Sequence, residues 1–380
     1  MGEPLRIALF VHHQLTEGTG AAGSTLSLAH ALRERGHFVD VYGLEIVGAG
    51  ESLSNQLRFP FAAARRVRRA LRSGEFDIID ASTGDLWLLT RSEIARSRTV
   101  VMTRSHGLEP LGAAARRDGA RRGEMVLRRR YRIYHGGWRL HEVRRTLQIA
   151  DAVLVLNARE REYVVSLGVS PSSTVLTAPL LGAGYTSSPD ATEERRVLVV
   201  GGTQWRKGGF DNGAVVADIA RRHRDVHVTW LGVTDDTLNA MLSGEERQRV
   251  SALPSFSPND VGALLAQHRV VVHLSRFEGW GMFVVEALSH GCLIVGTDVG
   301  ITAEAIASSG YVVPIGDRPA AQAAIDAALT ATDKAERSQR AALAAQRFAP
   351  TRTLDVLESN CREAVRVKGA RLRAGDGESR

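Results

Sequence analysis

The chain has 380 residues, 44% apolar and 24% charged, a composition that suits two globular domains with separate cores and excludes fibrous or disordered classes. Two cysteines, Cys292 and Cys361, exclude a disulfide scaffold and a zinc ribbon and fit a reducing compartment. The net charge of +7 is concentrated: residues 113–145 hold eleven arginines against Asp118, Glu124 and Glu142, and Arg65, Arg66, Arg68, Arg69 and Arg72 form a second run. The rest of the chain is mildly acidic, so an anionic partner is expected at the first half.

In chain order, short apolar runs alternate with amphipathic stretches, the pattern of repeated βαβ units. In the first half, strands are expected at 5–11, 38–43, 76–81, 98–103, 152–157 and 174–179. A helix is expected from Ser24 to Arg35, stopped by Gly36. The strands are rich in Val, Ile and Leu on both faces, as parallel strands covered by helices must be. A polar, turn-prone stretch at 186–195 reads as a linker between an N-terminal domain (1–185) and a second domain (196–350). The second half repeats the pattern at 196–202, 226–232, 269–275, 292–297 and 311–316. A helix over 351–368 and a disordered tail over 369–380 are expected to follow. The opening MGEPLRIALFVHH lacks a secretory pattern, and no apolar run approaches the roughly 18 residues a spanning helix needs. A cytoplasmic protein is expected.

Gly18-Thr19-Gly20-Ala21-Ala22-Gly23 matches the G-x-G-x-x-G of dinucleotide sites, with Asp40 at the next strand. The spacing opposes an NAD-dependent oxidoreductase, because Gly18 lies about seven residues past Val11 rather than in a tight turn after the strand. A loop whose glycines let backbone approach a phosphate at a helix start is the reading that survives. His12 and His13 are adjacent, which points them to opposite sides rather than to one ion. No metal site is expected.

The stretch SRFEGWGMFVVEALSHGCLIVGTDVG, 275–300, carries the most chemistry. Glu278 follows a strand, and Gly279-Trp280-Gly281 turns the chain into a helix opening near Met282. Glu286 lies inside that helix, eight residues after Glu278. The amides of Gly281, Met282 and Phe283 suit a diphosphate, and the two carboxylates suit hydroxyls at different parts of an extended ligand. For Glu286 alone, a glutamate complementing the helix dipole is the blander alternative.

This E-x7-E segment resembles that of the retaining glycosyltransferases of family GT4, which have the GT-B fold. LAHALRERGHFVDV, TRSHGLE with His106, ADAVLVLNAREREYVVSLGV and VVGGTQWRKGG with Lys207 resemble other landmarks of that family in the same order. The resemblance covers residues 5–367 and implies two Rossmann-like α/β domains facing a central cleft, with the C-terminal helix returning to the first. It implies a nucleotide-sugar donor, metal-independent transfer of a hexose-type sugar to an acceptor hydroxyl, and no cofactor besides that co-substrate. By it, Glu286 binds the ribose, Glu278 the transferred sugar, and Lys207 the diphosphate, helped by Gly281, Met282, Phe283 and Gly20, while His106 sits over the sugar. The family's arginine five residues before Lys207 is Gly202 here, leaving Arg206 or Gln204 to cover its role. A non-catalytic relative binding a nucleotide or a partner protein is the competing reading.

The arginine-rich segment 113–145 interleaves Tyr131, Tyr134 and Trp138 among its cations. Amphipathic aromatics beside arginines suit an anionic membrane surface, and many relatives act on lipid-linked acceptors. Peripheral docking at the inner membrane face is the functional expectation; helix packing with solvated arginines is the alternative. No recognition motif for nucleic acid accompanies the charge, and no nucleic-acid partner is expected.

Overall fold

A computed structural model of the chain describes residues 3–16, 20–181, 195–257, 260–307, 309–331 and 334–378. The chain divides into two compact units. One comprises residues 1–121, 126–180 and 350–380; the other comprises 122–125 and 181–349. The expected linker at 186–195 lies outside the described residues except for Arg195, and so do Gly18 and Thr19 of the glycine run.

The N-terminal unit is built on β1 (Arg6–Phe10), β2 (Phe38–Tyr42), β3 (Ile78–Ser82), β4 (Val100–Arg104), β5 (Ala152–Val155) and β6 (Thr174–Leu176). They form one parallel sheet in the order β2-β1-β3-β4-β5-β6. Each expected strand is present, with its bounds moved by up to three residues; β3 and β4 start later and end one residue beyond the expected ranges. The apolar runs are buried on both faces: Ile7, Leu9, Ile78, Met102 and Leu154 pack on one side, and Ala8, Phe10, Ile79, Ala81 and Val101 on the other.

The C-terminal unit repeats the plan with β7 (Arg196–Val200), β8 (His227–Leu231), β9 (Val250–Leu253), β10 (Val270–His273), β11 (Leu293–Thr297) and β12 (Gly310–Val313). Its parallel order is β12-β11-β10-β7-β8-β9. Fully buried Trp230 and the valines of β7, β8 and β10 fill its core. The edge strand β9 escaped the sequence reading because its four residues pair on one side only, with β8, and carry too short an apolar run to stand out.

The C-terminal helix Pro350–Glu378 belongs to the N-terminal unit. Leu354, Leu357 and Cys361 enter that unit's core, and Lys368 Nζ reaches Asp151 at 2.5 Å and the Thr99 carbonyl at 2.6 Å. The helix continues past 368, so the segment expected to be a disordered tail is helical to Glu378. Ala370, Leu372 and Ala374 are helix formers that extend a helix already anchored by Lys368.

The arginine-rich segment is not one exposed patch. It folds as helix Glu109–Arg121, a short helix Arg129–Ile133, a widened turn Tyr134–Trp138 and helix Arg139–Ile149. Arg139 turns inward to Glu109 and Glu142 at 3.3 and 3.2 Å, whereas Arg128, Arg129, Arg130 and Arg132 remain exposed beside Ile133 and Trp138.

Candidate active site

In the second sheet the chain runs outward from β7 through β8 to β9, then returns to β10 on the other side of β7. Ligands of open α/β sheets bind outside the carboxyl ends of the strands at such a switch point. The loop after β7 carries Arg206 and Lys207, and the loop after β10 carries Glu278. They meet: Lys207 Nζ lies 2.6 Å from Glu278 Oε1, and Arg206 Nη1 lies 3.3 Å from Oε2. Ser275 Oγ donates to Oε1 at 2.8 Å, and His273 Nε2 stands 3.6 Å away. Burial opposes the charge of Glu278, but the His273 ring and the Lys207 ammonium outweigh it and hold the carboxyl well below its ordinary range. Glu278 is therefore an anion fixed between two cations.

Buried Asn212 holds the Lys207 loop. Its side-chain N–H groups face the carbonyls of Lys207 at 2.8 Å, Gly202 at 3.2 Å and Val200 at 3.4 Å. Arg276 adds a backbone bond to the Arg206 carbonyl at 2.8 Å, and its buried guanidinium pairs with Asp211 at 2.8 Å. Neither was singled out from the sequence. Asn212 is ten residues from one of its acceptors, and nothing local marks an asparagine inside a helix as a loop clamp.

Gly202 explains the missing arginine. Its φ is +56°, its N–H bonds the Leu231 carbonyl at 2.9 Å, and a Cβ there would collide with the carbonyl oxygen of Gly232. No side chain fits, and the second cation of the cluster comes from Arg206 instead. Gln204, the other candidate, caps the turn Trp205–Lys207 through its backbone.

The helix Met282–Ser289 opens directly after the Glu278 loop. Gly281 enters it at φ +103°, ψ +50°, a left-handed conformation that leaves the first-turn amides of Met282 and Phe283 unbonded within the helix. Glu286 projects from its second turn and its carboxylate has no hydrogen bond or ion pair among the described residues. Burial alone raises its pKa to about 7. A carboxylate so placed is costly unless a ligand supplies donors.

His106 and Gly20 lie in the N-terminal unit. Gly20 begins the helix Gly20–Glu34 with φ +89°. Nine residues separate it from β1, far from the tight turn of a dinucleotide fingerprint, and Asp40 lies within β2. Ser24 and Thr25 of that helix line a crevice with Arg104, His106 and Leu180. Burial, with the charges of Arg104 and His13, holds the His106 imidazole down at about 3, so it is neutral.

A family model described as "Glycosyl transferases group 1" matches residues 194–331, and "Glycosyltransferase Family 4" matches residues 18–177. The chain belongs to the family 4 glycosyltransferases. No curated protein matches it in sequence. Among solved structures, a glycosyltransferase from Rickettsia africae ESF-5 shares 14% identity at a TM-score of 0.68, covering 96% of this chain and 99% of that one. Sucrose-phosphate synthase from Thermosynechococcus elongatus shares 17% at 0.65, over 99% and 100%. Anabaena HepE in complex with UDP shares 16% at 0.66, over 94% and 100%. The two six-stranded Rossmann-like units of this glycosyltransferase give it the GT-B fold. Among the described residues no helix is long and apolar enough to cross a membrane.

Proposed function

We propose that this glycosyltransferase moves a hexose-type sugar from a nucleoside-diphosphate sugar to an acceptor hydroxyl, with retention of configuration and without a metal ion. The observation that carries the reading is the second sheet's switch point, where Arg206 and Lys207 converge on Glu278 beside a helix start and an unpartnered Glu286. Two cations around one carboxylate leave a net positive charge for the departing diphosphate, and the amides of Gly281, Met282 and Phe283 add donors. Stabilising that developing charge and positioning the acceptor are the two contributions such a reaction requires. Glu286 accepts from the ribose hydroxyls, and the free lone pairs of Glu278 accept from the sugar. The roles given to His106 at the sugar and Gly20 at the phosphates belong to the same proposal. The complexes of Anabaena HepE with UDP and with UDP-glucose make uracil the first base to try.

The acceptor is proposed to be a lipid-linked or polysaccharide precursor at the cytoplasmic membrane face, reached through the exposed arginines at 128–130. A thermal-shift series with UDP, GDP, ADP, CDP and TDP tests the donor, since a ligand of the folded state alone must raise Tm. Stabilisation by one of them, followed by proton NMR showing an α-linked product from an α-linked donor in the presence of EDTA, is the expected result. Silence across the series, or a β-linked product, refutes it.

A further inference from the structure

The helices Glu109–Arg121 and Arg129–Ile133 belong to the N-terminal unit, whereas residues 122–125 between them belong to the C-terminal one. Within that unit Glu124 supplies a contact. Its Oε2 accepts from the Trp205 indole N–H at 3.0 Å and lies 3.0 Å from Arg276 Nη1. Its Oε1 accepts from Arg122 Nε at 2.8 Å. Burial opposes the charge of Glu124, but the bonds from Arg122 and Trp205 and the charge of Arg276 outweigh it. The carboxyl is held below its ordinary range.

Trp205 and Arg276 both adjoin the cation cluster of the second sheet. Trp205 directly precedes Arg206 and opens the single turn Trp205–Lys207 that carries both cations. Arg276 stands two residues before Glu278, and its backbone N–H donates to the Arg206 carbonyl at 2.8 Å. Its guanidinium lies over the Trp205 ring, 5.8 Å from the centroid. Arg276 is buried, with Nη2 on Asp211 at 2.8 Å, and its Nη1 has no aligned hydrogen bond among the described residues. Asp211 is itself shared with Arg318 at 3.0 Å, so Glu124 is the carboxylate that faces Nη1.

The backbone of the turn is already closed without Glu124. Lys207 N–H donates to the Gln204 carbonyl at 3.0 Å, and Asn212 holds the Lys207 carbonyl at 2.8 Å. What Glu124 adds, from 81 residues away, is the placement of the two side chains that flank the turn. Its removal strips the acceptor from an indole N–H and from a buried guanidinium edge at once. Unpaired donors of that kind are costly, and the side chains move to find new partners. Arg206 is tied to both, by the peptide bond to Trp205 and by the Arg276 N–H.

We infer that Glu124 is a positioning residue of the donor site, fixing Arg206 and Lys207 for the diphosphate through Trp205 and Arg276. The inference rests on the reading of this enzyme as a nucleoside-diphosphate sugar transferase. It adds to that reading a residue that touches neither donor nor acceptor.

Isothermal calorimetry of the full chain with UDP, GDP, ADP, CDP and TDP finds the nucleotide that binds. Its Kd is then compared among variants whose circular dichroism matches the wild type. Glu124→Ala is expected to weaken binding about tenfold. Glu124→Gln keeps an oxygen for the Trp205 N–H but loses the charge facing Arg276, and a loss of about threefold is expected. It carries the comparison if Glu124→Ala fails to fold. Trp205→Phe is expected to weaken binding alone but to add less than about twofold in the Glu124→Ala background, because the two act through one contact. Arg121→Ala removes an exposed cation paired with Asp118 and is expected to leave Kd unchanged. In ¹H–¹⁵N spectra the Trp205 indole resonance, assigned by its loss in Trp205→Phe, is expected to move in the Glu124 variants. Equal Kd for the wild type and the Glu124 variants, full additivity with Trp205→Phe, or an unmoved indole resonance overturns the positioning role. Failure of all five nucleotides to bind the wild type refutes the donor reading and this inference with it, whereas an unmoved Kd in the Glu124 variants refutes this inference alone.

Discussion

Glu286→Gln removes a charge that burial opposes and that no neighbouring group among the described residues offsets. The pKa of Glu286 is raised from 4.5 to about 7. For an acid shifted upward, the folded state holds the proton more tightly, so its contribution to stability is greatest at low pH and falls as pH rises from about 4.5 to about 7. At about 1.4 kcal/mol per pH unit the full shift corresponds to roughly 3.4 kcal/mol above pH 7. Partial solvent access of the side chain reduces that to about 1–3 kcal/mol. The neutral glutamine does not incur this cost. Glu286→Gln is therefore expected to raise Tm by about 2–8 °C at pH 8 and to leave it nearly unchanged at pH 4.5. The same variant should bind the stabilising nucleoside diphosphate about tenfold more weakly, having lost a charged acceptor for the ribose. Differential scanning fluorimetry at the two pH values, with and without nucleotide, reads both effects. Equal melting temperatures at pH 8, or an equal gain at both pH values, would refute the burial argument; unchanged nucleotide affinity would remove Glu286 from the ribose.

Restoring the family arginine by Gly202→Arg should not strengthen the enzyme. Even Gly202→Ala forces a Cβ onto the Gly232 carbonyl at positive φ and is expected to cost about 2–4 kcal/mol in urea unfolding; a neutral result would mean that the loop shifts freely. Lys207→Ala leaves Glu278 with Arg206 alone and should lower turnover about 100-fold or more, with a smaller loss of stability; wild-type turnover would exclude it from the phosphate clamp. Replacing Arg128, Arg129 and Arg130 by glutamine should weaken sedimentation with phosphatidylglycerol vesicles by about 1 kcal/mol per charge. Unchanged sedimentation would leave the segment a solvated helix surface.

Much of the architecture was legible because parallel strands buried on both faces must be apolar at every position. The runs LRIALFV, FDIIDA and RVVVHLS therefore announced themselves, and so did the glycine that opens the helix at Met282. The two carboxylates were legible as local spacing, and Lys207 through the resemblance to the family. Tertiary structure alone decided what those residues touch. Strand order brought Lys207 to Glu278, 71 residues later, and His12 to Asp85, 73 residues later. It turned Arg139 inward from an arginine run that looks uniform in sequence, and it made position 202 a glycine by packing the Gly232 backbone against it. Local patterns record which face of an element is dry. Which strands become neighbours, and hence which loops share a crevice, depends on long-range packing that no single segment encodes.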